Sequence, residues 1–290
     1  MNIENRTQQS DFSSLPEKAA PSDFLGRFRE IISDPINLLI ERHPMAGCLF
    51  EDKVALHNGV LVPVSGPYSY YGDFSSILVF NRGVHEPLEE FVFQEVLKIL
   101  PKAPTMLELG PYWGHYSMWC QKSRPETKNF LVEPETANLD AARRNFDFNG
   151  FQGTFIQSMV GRGHFLVDDF FAWQAMPELT ILHSDIQGYE MEMLEGAIDS
   201  FRQKKINYVY VSTHSNALHT SCCNYLNEMG YRIEVESDFE TDSTSFDGLI
   251  FASSPNVAPV FKNFGPMGRL EIAKSTPIDV LAKLNAMLSR

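Results

Sequence analysis

Two side chains in this sequence sit where chemistry is most easily done. Asp185 closes the apolar run Leu179 to Asp185, and His214 stands just past the run Ile206 to Thr213. Both runs have the composition of buried parallel strands, and in open α/β sheets ligands bind in the crevice outside the strands' carboxyl ends. A carboxylate and an imidazole brought together there can move a proton as a general acid and base. With Asp247, at the start of a later strand, they can instead hold a divalent cation such as magnesium. A third, plain alternative is a satisfied histidine beside a helix cap. The string His214, His219, Cys222 invites a zinc reading, but its spacing is not that of a structural zinc site.

The elements that must position these groups surround a βαβ stretch, Thr105 to Pro134. Met106-Leu107 opens a strand, Gly110 and Gly114 bracket a tight turn, residues 115–122 form a helix, and Phe130-Leu131-Val132 forms the next strand. Glu133 then stands where a carboxylate can accept both hydroxyls of a ribose. The turn lacks one glycine of the dinucleotide fingerprint, so an adenosine-type ligand without phosphates fits better than a pyrophosphate.

From there the chain alternates. Helices are expected at 136–148, 188–202 and 218–229, and strands at 153–158, 179–185 and 206–213. Two further strands, Tyr231 to Glu236 and Phe246 to Ala252, are joined by a polar turn with no helix, which makes them antiparallel neighbours. The expectation is an α/β, Rossmann-like, seven-stranded mixed sheet with an antiparallel final hairpin, helices on both faces and an N-terminal helical and hairpin extension. Residues 1–22 are expected as a disordered tail and 23–84 as the extension. Its helix spans roughly 24–41 with Pro35 as an interruption, and its hairpin turns at His57-Asn58-Gly59. Residues 85–253 form the core, and 254–290 a Pro- and Gly-rich segment with a closing helix, 277–288. Leading into the core is a helix at 86–100.

The net charge of −13 and pI near 5.0 disfavour a phosphate-backbone binder, and no run of Lys and Arg exceeds two residues. The four cysteines lack the spacing of a disulfide framework. No apolar run approaches the length of a membrane span. The expected partner is a small-molecule acceptor, with no nucleic acid and no membrane, in the cytoplasm; a homodimer through the N-terminal elements is an open option.

Over residues 86–252 the chain resembles the FkbM family of class I S-adenosylmethionine-dependent methyltransferases. The resemblance rests on Glu108-Leu109-Gly110-Pro111-Tyr112-Trp113-Gly114, on Val132-Glu133-Pro134, on Val167-Asp168-Asp169, and on Asp185-Ile186-Gln187-Gly188-Tyr189-Glu190 with Leu194-Glu195-Gly196-Ala197. Gln187 replaces the family's usual Glu, and Pro111-Tyr112-Trp113 departs from its usual first turn. The resemblance implies S-adenosylmethionine as cofactor, held by Glu108, Gly110, Tyr112, Gly114, Glu133, Ser158, Met159 and Asp185. Glu108 would orient the turn or meet the methionine part, with capping of the next helix as its alternative. Ser158 and Met159 would meet the adenine, and Tyr112 would offer an aromatic face to the sulfonium.

The implied activity is methyl transfer to a hydroxyl oxygen of a sugar or natural-product scaffold. His214 and Asp185 would be catalytic, and Asp185, His214 and Asp247 would be the ligands if a metal assists. An N-methyltransferase of the same architecture and a catalytically silent cofactor-binding protein are the alternatives.

Overall fold

The structure, a computed structural model, describes residues 18–20 and 22–288; most of the expected tail lies outside them. Helix α1 (Phe24–Ser33) starts where Asp23 accepts a hydrogen bond from the Gly26 N–H, and a 3-10 turn, Pro35–Leu38, follows. Asp34 separates the two and caps the second, its carboxylate accepting from Ile36 N–H. Pro35 carries no N–H to continue α1, so the break falls where the sequence placed it.

Strands β1 (Leu49–Phe50), β2 (Lys53–Ala55) and β3 (Leu61–Pro63) make a small antiparallel sheet, with Val54 opposite Val62 across the expected turn. A second 3-10 turn, Gly72–Ser76, leads into α2 (Ile77–Phe80), and α3 (Pro87–Ile99) follows.

The main sheet comprises β4 (Thr105–Leu109), β5 (Lys128–Val132), β6 (Thr154–Ile156), β7 (Leu179–Ser184), β8 (Ile206–Thr213), β9 (Arg232–Ser237) and β10 (Gly248–Ser253). Between them run α4 (His115–Ser123), α5 (Thr136–Asn149), α6 (Val167–Trp173), α7 (Glu190–Glu195), α8 (Ile198–Arg202) and α9 (Asn216–Glu228). The chain closes with α10 (Arg269–Lys274) and α11 (Pro277–Leu288).

The seven strands lie in the order β6-β5-β4-β7-β8-β10-β9. The first five are parallel, and β10 runs antiparallel to both β8 and β9. The order reverses at β4, whose two neighbours are β5 and β7, so the crevice opens between the ends of β4 and β7. Every residue of β7 and of β8 is buried, as covering helices on both faces require.

One expected helix, 188–202, is instead two. Asp168, from the start of α6, accepts hydrogen bonds from the N–H groups of Asp199 and Ser200 and so caps α8 from outside. A carboxylate at a helix start satisfies donors that would otherwise be orphaned. Gly196 fills the break with its backbone close to Leu166, and the Asp168 N–H donates to its carbonyl.

The extension is not peripheral. Phe74, fully buried, meets Phe24 and Phe28 edge-on and also contacts Phe246, while β2 and β3 share a core cluster with Trp113, Met118 and Phe146. Burial of that size contributes about 1.5–3 kcal/mol per large apolar side chain. The extension thereby roofs the carboxyl end of the sheet. Among the described residues no helix is long and apolar enough to cross a membrane.

Candidate active site

Gly110 ends β4 with φ +74°, and a Cβ there would collide with the backbone carbonyl of Asp185 at the end of β7. Only glycine permits the two strand ends to come so close. The Asp185 N–H donates to Leu109 O at 2.9 Å, and the Gly110 N–H donates to Val132 O at 2.9 Å, which locks the three strand ends around the crevice.

Outside that junction lies a cleft of about 490 Å³, a volume suited to a small-molecule cofactor. Gly110, Tyr112, Glu133, Met159 and Asp185 line it together with Gln187. Glu133 is buried, and its Oε1 accepts from the Glu135 N–H at 3.0 Å. Burial raises its pKa above the ordinary carboxylate range, against the hydrogen bonds from Glu135 and Asn138. Tyr112 holds a left-handed backbone, φ +49°, and its hydroxyl accepts from the Tyr71 N–H at 3.0 Å. Met159 reaches the cleft while half-exposed.

Three other expected cofactor residues lie elsewhere. Glu108 is buried and accepts from the Ser117 N–H at 3.1 Å, so it caps the first turn of α4 and faces an inner chamber. Gly114 begins α4 at φ +81°, packed against the Phe146 ring. The Ser158 hydroxyl donates to Met159 O at 2.8 Å. Gly114 and Ser158 line neither the cleft nor the chamber.

The inner chamber, about 40 Å³, adjoins the cleft at Tyr71, Gly110, Tyr112 and Asp185. It has room for a few water molecules. Its walls include Glu86, Glu89, Tyr116, His183, Ser212 and Asp247. Glu89 bridges inward, with His183 Nε2 at 2.6 Å and the Ser212 hydroxyl donating at 3.1 Å. Burial first, then repulsion from Glu89, lifts the Glu86 carboxyl well above its usual range. His115 is buried among rings, and burial holds it well below the usual imidazole pKa, hence neutral.

At the chamber's rim the three groups expected together do meet. His214 Nε2 stands 3.3 Å from Asp185 Oδ1 and 3.1 Å from Asp247 Oδ1. Neither contact has hydrogen-bond alignment, and Nε2 is left without a partner. On the other side of the ring, Nδ1 lies 2.9 Å from Glu190 Oε1. Glu190 is fully buried at the start of α7, and its Oε1 also accepts from the Gly188 N–H at 3.1 Å.

Glu190 therefore orients the ring: the Nδ1–H donates to it, and Nε2 points at the two aspartates. Sequence reasoning quoted Glu190 in a motif but gave it no role. The clue available was its place in the loop that follows Asp185. Burial opposes a charged His214, but Asp185 and Glu190, helped by Asp247, outweigh it and raise the pKa to about 10. Asp247 is pushed up to about 7 by burial and by Asp185. Gln187, at φ +53°, donates from its amide to Asp185 Oδ1 at 3.0 Å.

Residues 164–233 match the family model described as the methyltransferase FkbM domain. That match bears out the FkbM resemblance. It covers Asp168 of the α8 cap and Asp185, Glu190 and His214; Asp247, the third group at the rim, lies outside it. With the fold, it supports an S-adenosylmethionine-dependent methyltransferase of unspecified acceptor.

Similar solved structures include M. capricolum TrmK in complex with S-adenosyl-homocysteine, at 16% identity over 60% of this chain and 72% of that one, TM-score 0.40. A precorrin-6y C5,15-methyltransferase from Geobacter metallireducens GS-15 aligns at 13% identity over 57% and 89%, TM-score 0.42. Methyltransferase FkbM from Methylobacillus flagellatus KT aligns at 15% over 62% and 53%, TM-score 0.43. No curated protein matches the chain significantly.

Proposed function

We propose that this FkbM-type chain transfers a methyl group from S-adenosylmethionine to a hydroxyl oxygen of a small molecule, a sugar or a natural-product scaffold. The observation that carries the proposal is the His214 imidazole, held by Glu190 through Nδ1 and presenting Nε2 to Asp185, which lines both cleft and chamber, and to Asp247, which lines the chamber.

The cofactor fits the residues present. Gly110 lines the cleft without a side chain, and Glu133 beside it offers a desolvated carboxylate to ribose hydroxyls. When bound, S-adenosylmethionine supplies an electrophilic methyl group on a sulfonium. Tyr71 and Tyr112, whose ring centroids lie 4.9 Å apart, wall the passage between cleft and chamber with aromatic surface, beside which a cation is favoured.

Proton removal falls to the rim. With a pKa near 10, His214 is protonated at neutral pH and has no lone pair to take a hydroxyl proton. The metal alternative answers this: a divalent cation between Asp185, His214 and Asp247 would take the place of the Nε2 proton, with one nitrogen and two oxygens within reach. A cation held there lowers the pKa of a coordinated hydroxyl and fixes its position. The carboxylate behind the ligating histidine, Glu190, is the support such a ligand ordinarily has.

A cytoplasmic small-molecule role agrees with the acidic charge and the paucity of basic runs. The test is methyl transfer from labelled donor across a panel of hydroxyl and amine acceptors. Label on hydroxyl acceptors supports the reading; label on amines alone replaces it with nitrogen methylation, and donor binding without any transfer replaces it with a silent protein.

A further inference from the structure

Beyond the methyl-transfer centre, a second set of ligating side chains is assembled on the far side of α9. His219 and Cys223 lie four residues apart and so share one face of that helix, opposite Glu236 of β9. Their donor atoms all lie within 4.8 Å of one another. His219 Nε2 is 3.5 Å from Glu236 Oε1, belongs to a residue 3% exposed, and has no hydrogen-bond partner.

The other ring nitrogen is occupied: Nδ1 and the Thr213 hydroxyl lie 2.8 Å apart. An imidazole oriented through one nitrogen, with the other left bare toward a thiol and a carboxylate, is how a ligating histidine is held. Cys222, which the linear spacing suggested, is fully buried and contributes no donor to this group; its neighbour Cys223 does. Asp238 and Asp242 add negative charge around His219. The Glu236 side chain is 57% exposed, which gives an ion a way in from solvent.

We propose that His219 Nε2, the Cys223 thiolate and the Glu236 carboxylate bind one divalent cation of the zinc class, with the fourth position open to solvent. On binding, the Cys223 S–H bond breaks, its proton passes to solvent, and a sulfur–metal bond forms. Thiolate and carboxylate then balance the ion's charge. Ligand atoms on a tetrahedral zinc at about 2.0–2.1 Å stand about 3.4 Å apart, close to the 3.5 Å between His219 and Glu236. A sulfur and an imidazole select a softer ion than the two aspartates at the rim. The ion ties α9 to β9, and through Thr213 it steadies the residue that precedes His214.

The experiment is a titration of chelator-stripped, reduced protein with Co²⁺ alone. A thiolate-to-cobalt charge-transfer absorption should rise, saturate at one equivalent in Asp247→Asn, where the rim group lacks a ligand, and be bleached by Zn²⁺. It should persist in Cys222→Ser and in Asp247→Asn, and vanish in Cys223→Ser. Glu236→Gln, a change at an exposed position, should weaken cobalt binding at least about tenfold, the loss that even an outer-shell change brings. This variant decides the matter if Cys223→Ser fails to fold. Absence of the charge-transfer band, its survival in Cys223→Ser, or unchanged affinity in Glu236→Gln would overturn the proposal.

Discussion

His214 Nδ1 lies 2.9 Å from Glu190 Oε1, a fully buried carboxylate at the start of α7. This contact joins the end of β8 to the helix that follows β7, and it determines which nitrogen faces Asp185 and Asp247. Both contacts fall on Oε1, so Glu190→Gln either keeps an amide oxygen there and holds them without the charge, or turns its N–H₂ there and loses both. We expect methyl transfer to fall about 10–100-fold, as for other changes behind a ligating histidine. The fold should survive. Ring-nitrogen NMR of His214 should show its pKa lowered, since Glu190 is one of the groups that raise it.

Gly110→Ala places a methyl group against the Asp185 carbonyl and forces a side chain into the left-handed region at φ +74°. The backbone strain alone costs about 1–3 kcal/mol, and parting β4 from β7 adds to it. Cofactor binding measured by calorimetry with S-adenosyl-homocysteine should be lost. Gly150→Ala serves as the control: its φ is +72°, yet nothing lies within 4 Å of the new methyl. It should lose a little stability and keep binding.

Glu133→Ala removes the buried carboxylate of the cleft. We expect S-adenosyl-homocysteine to bind more weakly by about 1.5–3 kcal/mol, the range for a hydrogen bond to a charged group. Equal affinity in the variant would remove Glu133 from the ribose role.

The pH dependence follows from the folded-state pKa of His214, about 10 against 6.5 for the ordinary imidazole. Because it is raised, its contribution to stability is fully present below about pH 6.5. That contribution is lost as the pH climbs through about 10. Denaturant midpoints of the metal-free protein should therefore fall between those limits, and His214→Gln should flatten that part of the curve. A variant curve parallel to the parent's would contradict the assignment.

Phe74→Ala tests whether the extension is part of the site's roof. Its fully buried ring contacts Phe24, Phe28, Tyr70 and Phe246. Truncation should cost about 3–5 kcal/mol and, by loosening the loop that carries Tyr71, should reduce transfer more than it reduces cofactor binding.

Much of the core was legible because buried parallel strands are continuous apolar runs: 105–109 and 206–213 have the bounds expected of them. Pro35 and the final hairpin were readable for equally local reasons. The split of 188–202 was not, since the group that caps α8 is Asp168, thirty residues upstream in sequence. Glu190 was hidden in the same way, because a buried acid declares its purpose only through a partner on another strand. The inner chamber was least legible: Tyr71 and Tyr112 depend on left-handed backbones that their side chains do not advertise. Their loop has no period from which to infer a direction.

That Asp185, His214 and Asp247 activate the acceptor together with a divalent cation is the proposal on which the rest depends. Its most direct measurement is labelled-methyl transfer by the unsubstituted protein before chelation, after chelation, and after magnesium is restored, with Asp247→Asn alongside. Loss on chelation, recovery with magnesium, and no recovery in Asp247→Asn are the expected results. Transfer that continues unchanged through chelation and in Asp247→Asn would contradict it.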